Sequence, residues 1–224
     1  MRHALIALIA LGVMHGPLAA QESGNCVGFG IEDDAAATRL GVIEPEGRTN
    51  FVKNGSDDPS CPTDIEACLR RAFLVQGDRV VINREIDDYV CASFVNGQGV
   101  QTDGWLPAQA VDRDRRPGEW AGTWSRGDSA EIIITEDGGD LSVTGSATTG
   151  TGAATHVGSL EASGTPKKGV FAFAMGENGT LQPQQAGAFD CVATLALRGP
   201  YLVAQDNGNC GGANVRFTGI YTRQ

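Results

Sequence analysis

Histidine, paired CxxC cysteines, long apolar runs and excess positive charge are scarce in this sequence, and each shortage closes off a class of function. Two of its three histidines, His3 and His15, fall in the first twenty residues. That leaves His156 alone to serve a Ser-His-Asp or Cys-His arrangement, and a His-rich metal site is excluded. His156 itself opens a Gly- and Thr-rich stretch and reads as a surface residue. The longest leading apolar run, Ala4 to Val13, is short of the roughly 20 residues that a spanning helix needs, so no membrane span is expected. Lys and Arg number 17 against 27 Asp and Glu, a formal charge of -10. Nucleic acid binding therefore has no electrostatic support, and the acidity suits solubility outside the cytoplasm. Paired carboxylates are the remaining enzymatic option, since a glycosidase needs only two positioned acids. Asp87, Asp88, Asp137 and Asp140, however, sit in turns where Asp serves backbone geometry. Neither Asp137-Gly138-Gly139-Asp140 nor Asp206-Asn207-Gly208-Asn209 fits a calcium loop of twelve residues. The expectation is a protein that is not an enzyme and has no cofactor and no metal.

What the chain does have is a compartment signal and a cysteine framework. Met1-Arg2-His3, the apolar run, and Gly16-Pro17-Leu18-Ala19-Ala20 form the basic, apolar and small-residue parts of a secretory signal peptide cut after Ala20. The expected location is periplasmic or secreted. Without that leader the chain loses Arg2, its one charged residue, and the formal charge becomes -11. All six cysteines lie beyond the leader, and an even count in an exported chain predicts three disulfides. Cys61 pairs most easily with Cys68 inside one Pro-containing loop, and Cys191 with Cys210 near the open ends of a predicted hairpin. Cys26 with Cys91 follows by elimination and ties an N-terminal arm to a strand.

With 31 glycines and few aromatics, the 224 residues suggest an all-β chain of two small modules. Residues 21–47 read as an arm with a strand around Cys26 to Phe29. Residues 48–112 hold strands at Thr49 to Lys53, Arg79 to Arg84, Tyr89 to Val95 and Val100 to Leu106, with one helical turn over Ile65 to Phe73 that shares a face of Ile65, Cys68, Leu69 and Ala72. In these strands Val80 and Ile82 alternate with Arg79 and Asn83, and Val90, Ala92 and Phe94 with Tyr89 and Ser93. Residues 113–119 mix both charges, end in Pro117-Gly118-Glu119, and read as a solvated linker. Residues 120–224 carry eight candidate strands, the last from Val215 to Arg223, joined by turn sequences such as Asp137-Gly138-Gly139 and Gly176-Glu177-Asn178-Gly179. Eight antiparallel strands in so short a span suit a small up-and-down barrel.

The stretch Leu74 to Val111, with Gly77-Asp78 before a strand and Gly104-Trp105-Leu106-Pro107 before a short last one, resembles a bacterial Src-homology-3-like module. It departs from that family in carrying the Cys61 to Cys68 insert and in lacking the acidic-aromatic loop. The resemblance implies a small barrel with an aromatic groove, here Tyr89, Phe94 and Trp105, and a cell-wall or peptide ligand. The second half is similar to the lipocalin-like group, on Gly122-Thr123-Trp124 in its first strand and on Phe217-Thr218-Gly219-Ile220-Tyr221 with Arg223 placed to cover the tryptophan. That resemblance implies a closed barrel. A barrel pinned by a disulfide also resembles small periplasmic inhibitors of lysozymes and proteases.

These readings predict a monomeric envelope binding protein acting through the first module. The alternatives are an inhibitor acting through the loop of Asn207, Asn209 and Asn214, stiffened by Cys191–Cys210, and a carrier of a small apolar ligand. For the carrier, Ala172, Ala174 and Ala193 would leave room in the barrel and Ile132, Ile134 and Phe171 would fill it.

Overall fold

The computed structural model describes residues 24–177 and 179–224; the leader and its cleavage site lie outside them. The chain is all-β and its strand pairs are antiparallel. The first sheet holds β1 (Arg39–Ile43), β2 (Arg48–Val52), β3 (Leu69–Val75), β4 (Arg79–Ile86), β5 (Tyr89–Val95), β6 (Gln101–Pro107) and β7 (Val111–Arg113), in the order β3-β2-β6-β5-β4-β1-β7. The second holds β8 (Gly122–Arg126), β9 (Ala130–Asp137), β10 (Asp140–Thr149), β11 (His156–Gly164), β12 (Val170–Gly176), β13 (Gly179–Leu181), β14 (Cys191–Arg198), β15 (Tyr201–Asp206) and β16 (Gly219–Arg223). Its order is β11-β10-β9-β8-β16-β15-β14-β12-β13. Among the described residues no helix is long and apolar enough to cross a membrane.

The second sheet curls into a nearly closed barrel, and its strands follow the period-2 rule. In β9, Ala130, Ile132 and Ile134 are buried while Glu131, Ile133 and Thr135 are exposed. Gly138 and Gly139 both take positive φ (59° and 92°) between the paired Asp137 and Asp140, the two-residue turn that matches strand twist. The two ends of the sheet meet through side chains: the Glu161 N–H donates to Met175 Sδ (3.4 Å) and the Ser163 N–H to Thr180 Oγ1 (2.8 Å). The interior is filled by Trp124, Ile132, Ile134, Leu141, Val143, Phe171, Phe173, Leu195, Phe217 and Tyr221, each worth about 1.5–3 kcal/mol when taken from water. Ala193 is inside as expected, opposite Phe173, but Ala172 and Ala174 alternate with Phe171 and Phe173 and lie on the other face of β12. The room they were expected to leave for a carried ligand is not inside the barrel.

Several local expectations are corrected. The barrel half has nine strands, not eight, because β13 begins at Gly179, where a turn was expected. The last strand starts at Gly219 rather than Val215, since the N–H groups of Phe217 and Thr218 go to the Asp206 carboxylate instead of a neighbouring strand. Residues 26–29 form no strand; Cys26 is held instead by its disulfide and by an N–H bond to Asn54 Oδ1 (2.8 Å). The arm does supply β1, which pairs with β4 and β7. Over Ile65 to Phe73 a single 3-10 turn at Glu66–Cys68 gives way to β3, leaving Ile65 and Leu69 exposed while Cys68 is buried. The three disulfides are Cys26–Cys91, Cys61–Cys68 and Cys191–Cys210.

The two sheets share a buried seam. Leu40, Val81 and Val95 pack with Ala196, Tyr201, Val203 and Ile220 of the barrel's outer face. This is why β4 reads Val80-Val81-Ile82 without alternation: Val80 and Ile82 face the first sheet's own core and Val81 faces the barrel. Polar contacts flank the seam. The Tyr201 hydroxyl donates to the Arg79 carbonyl (2.8 Å), and the Arg198 guanidinium donates to the carbonyls of Thr38 (2.7 Å), Ala36 (2.9 Å) and Ala35 (3.2 Å). Burial holds the Arg198 guanidinium below its ordinary pKa, and Asp34 opposes that shift.

Candidate binding surfaces

The expected groove of the first module is not assembled. Register pairs Cys91 with Trp105, Tyr89 with Pro107 and Phe94 with Thr102, so Phe94 lies on the opposite face from the other two. Phe94 packs, partly buried, against the first sheet's own core, which holds Val90 and Ala92 of the same strand. Trp105 is wholly buried among Val52 and the Cys26–Cys91 and Cys61–Cys68 disulfides, and its Nε1–H donates to the Gly24 carbonyl (3.1 Å). Arg84 lies over its ring at 5.5 Å. A tryptophan so enclosed offers no stacking face to a ligand; it is the keystone on which the arm and the Cys insert settle.

Tyr89 stays half-exposed, as Phe94 does on the other face, and lines a cleft of ≈ 450 Å³ with Thr63, Asp64, Asp88, Pro107, Ala108 and Gln109. Burial raises the Tyr89 phenol pKa, and Asp64 and Asp88 add to the rise. A tyrosine ring flanked by two carboxylates suits a cationic group.

The barrel's disulfide-pinned end is organised by Asp206. Its side chain is buried; Oδ1 accepts from the N–H of Phe217 (3.1 Å), the N–H of Thr218 (2.8 Å) and the Thr218 hydroxyl (2.6 Å), and Oδ2 from the N–H of Gly208 (3.1 Å). Asn207 and Asn209, expected to face a ligand, are spent on scaffolding. Asn207 Oδ1 accepts from the N–H groups of Val192 and Asn209 (both 3.1 Å), and its Nδ2 donates to the Asp190 carbonyl (2.9 Å). Asn209 Nδ2 reaches the carbonyls of Ala188 and Asp190 (both 3.4 Å). Asn214 remains exposed and takes a left-handed φ of 63°. Cys210 is bonded to Cys191, its carbonyl accepts from Ser159 N–H (3.1 Å), and Gly212 N–H donates to the Val157 carbonyl (3.0 Å). β11 and the Cys210 loop approach so closely that a Cβ on Gly158 would stand 2.6 Å from the Cys210 carbonyl oxygen.

Three segments, Gly187 to Asp190, Asn207 to Asn214 and the start of β11, are thus tied into one rim. On it stand Phe189, 91% exposed, and Val157, 65% exposed. Neither was singled out in the sequence. The signal for Phe189 was there, an aromatic residue in the small-residue loop Ala186-Gly187-Ala188-Phe189-Asp190 beside Cys191.

At the other end of the barrel the Arg223 guanidinium lies over Trp124 at 5.0 Å, and Trp124 Nε1–H donates to the Trp120 carbonyl (2.9 Å). Fold and surfaces together define a disulfide-stapled, all-β protein with a cross-linked, aromatic-tipped barrel rim. Comparison of the chain with known protein families, curated proteins and solved structures returns no match.

Proposed function

We propose that the chain is an exported, non-catalytic binding protein that docks a protein target through the clamped barrel rim, in the manner of an envelope inhibitor of a lysozyme or protease. The observation that carries this reading is Phe189. A large aromatic side chain left almost wholly in water costs solubility, yet here it stands on a loop held by a disulfide and by the Asn207 and Asn209 amides. Rigid aromatic residues of this kind are the usual anchors of protein interfaces, because little conformational entropy is lost when they enter a pocket. The lipocalin-like resemblance of this half draws support from Arg223 over Trp124. The test is inhibition of a panel of lysozymes and secreted proteases. Inhibition of at least one of them, weakened about tenfold or more in Phe189→Asp, is expected; a panel left untouched, or a Phe189→Asp protein that inhibits as well as the parent, refutes the reading.

A second reading keeps the Src-homology-3-like module as the binding part, with a cell-wall or peptide ligand, and moves its site to the Tyr89 cleft. It is favoured by Asp64 and Asp88 beside the ring, which suit the free amine of a wall peptide. Co-sedimentation of the chain with peptidoglycan sacculi, lost in Tyr89→Ala, is its expected outcome.

A further inference from the structure

We infer that β3 is a docking strand for an extended, acidic segment of another protein, added to the first sheet as an eighth strand. The two sheets present four edges, and three of them are protected. β7 is three residues long, β13 is also three residues long, and β11 faces β12 and β13 across the side-chain bridges that close the barrel. β3 runs for seven residues and pairs only with β2; Asp78 takes the Val75 N–H (2.8 Å) and donates to its carbonyl (3.0 Å), which leaves the edge open from Leu69 to Phe73. An edge of that length is a template for strand addition unless it is blunted. Its outward side chains are Leu69, Arg71, Phe73 and Val75, all exposed, and they alternate with the inward Arg70, Ala72 and Leu74. Blunting alone would not leave three apolar side chains in that row.

The charge of the strip sets the chemistry of the partner. In a chain of net charge -10, β3 carries no acid and two arginines. Arg70 is committed to the Asp103 carbonyl (2.6 Å), while Arg71 has no ion-pair partner among the described residues. Arg48 of the neighbouring strand, likewise without one, stacks over the Phe73 ring at 4.2 Å. The strip therefore presents two free guanidinium groups around an aromatic ring, flanked by Leu69 and Val75. A partner strand with one carboxylate opposite Arg71, a second reaching across to the Arg48 guanidinium over Phe73, and β-branched or aromatic residues between them satisfies both features. A second copy fits less well, because it would bring two acidic bodies together and add no carboxylate to the arginines.

The probe is a displayed library of random nine-residue peptides, selected against the full chain. Enrichment of peptides that alternate Asp or Glu with β-formers is expected. Their affinity should fall about tenfold in Arg71→Glu, recover largely in Arg71→Lys, and vanish for the same peptides carrying alternate backbone N-methyl groups, while the thermal midpoint of the chain stays unchanged. The proposal is overturned by a selection with no enrichment, by binding indifferent to Arg71→Glu, or by N-methylated peptides that still bind. It is also overturned if β3 proves to be occupied by a second copy, seen as a concentration-dependent dimer in analytical ultracentrifugation that Arg71→Glu alters.

Discussion

Asp206→Ala is the substitution through which the organisation of the rim can be measured. The methyl group removes the acceptor for two buried backbone N–H groups, those of Phe217 and Thr218, and for the Thr218 hydroxyl; Phe217 and Thr218 are 1% and 5% exposed, so water does not replace it freely. Each buried donor left unsatisfied costs about 1–3 kcal/mol. Three of them, partly relieved by relaxation of the loop, give an expected loss of about 3–5 kcal/mol, a large share of the 5–15 kcal/mol that keeps a typical domain folded. Asp206→Asn is the control. It keeps Oδ1, which takes three of the four hydrogen bonds, and disturbs only the bond from Gly208 N–H, so a loss of about 1–2 kcal/mol is expected. Equilibrium unfolding in urea measures both, and hydrogen exchange localises them. The amides of Gly208, Phe217 and Thr218 should exchange faster in Asp206→Ala while those of the β9–β10 hairpin keep their protection. A loss below about 1 kcal/mol for the alanine variant, or equal losses for alanine and asparagine, would refute the view that this carboxylate organises the rim.

Further outcomes follow from other parts of the structure. Separate pieces 21–112 and 113–224 expose Leu40, Val81 and Val95 on one side and Ala196, Val203 and Ile220 on the other, so each should aggregate or bind a hydrophobic dye, while the whole chain unfolds in one calorimetric transition. The disulfides differ in the loops they close, 65 residues of separation for Cys26–Cys91 against 7 for Cys61–Cys68; on loop entropy their replacement by serine pairs costs about 4 and about 2.5 kcal/mol, readable in guanidinium melts. For Asp114, burial favours the neutral acid, but hydrogen bonds from the Arg116 N–H and the Arg79 and Arg116 guanidinium groups outweigh it and hold the carboxyl below its ordinary pKa. Because the folded pKa is the lower one, the stabilisation is present above the unfolded value near 3.9 and is lost as pH falls through the folded value. Asp114→Asn should therefore flatten the acid limb of a stability-pH curve and lower the plateau at neutral pH. Trp105→Ala removes a wholly buried indole and its bond to Gly24, with an expected loss of about 3–5 kcal/mol in the same melts.

Much of the architecture was legible in the sequence, because period-2 patterning and turn chemistry report local geometry directly. Strand β5 spans Tyr89 to Val95 as read, the Asp137-Gly138-Gly139 turn sits where it was expected, and the three disulfides pair as argued. What failed was information that only packing supplies. Whether Trp105 faces a ligand or a core depends on the Cys26 arm folding over it, and an aromatic residue after a glycine looks the same in either case. The 3.6-residue spacing of Ile65, Cys68, Leu69 and Ala72 predicts a helical turn where β3 begins, yet an edge strand needs alternation on one face only, which Leu69, Arg71, Phe73 and Val75 provide. Asparagine in a glycine loop suits both recognition and scaffolding, and at Asn207 and Asn209 only the hydrogen bonds tell these apart.

The seam between the sheets fixes how the two proposed binding surfaces stand to one another. Proteins built as modules on a flexible tether gain avidity through an effective concentration that linker length sets, and they adapt to targets at many spacings. Here the residues 113–119 do not act as a tether, because Leu40, Val81 and Val95 are already bedded on the barrel and Arg198 grips the arm. The distance between the β3 edge and the Phe189 rim is therefore a constant of the molecule. With both proposed surfaces in use, such a molecule would act as a caliper: it would reward a pair of targets presented at its own span and gain nothing from a pair presented at any other.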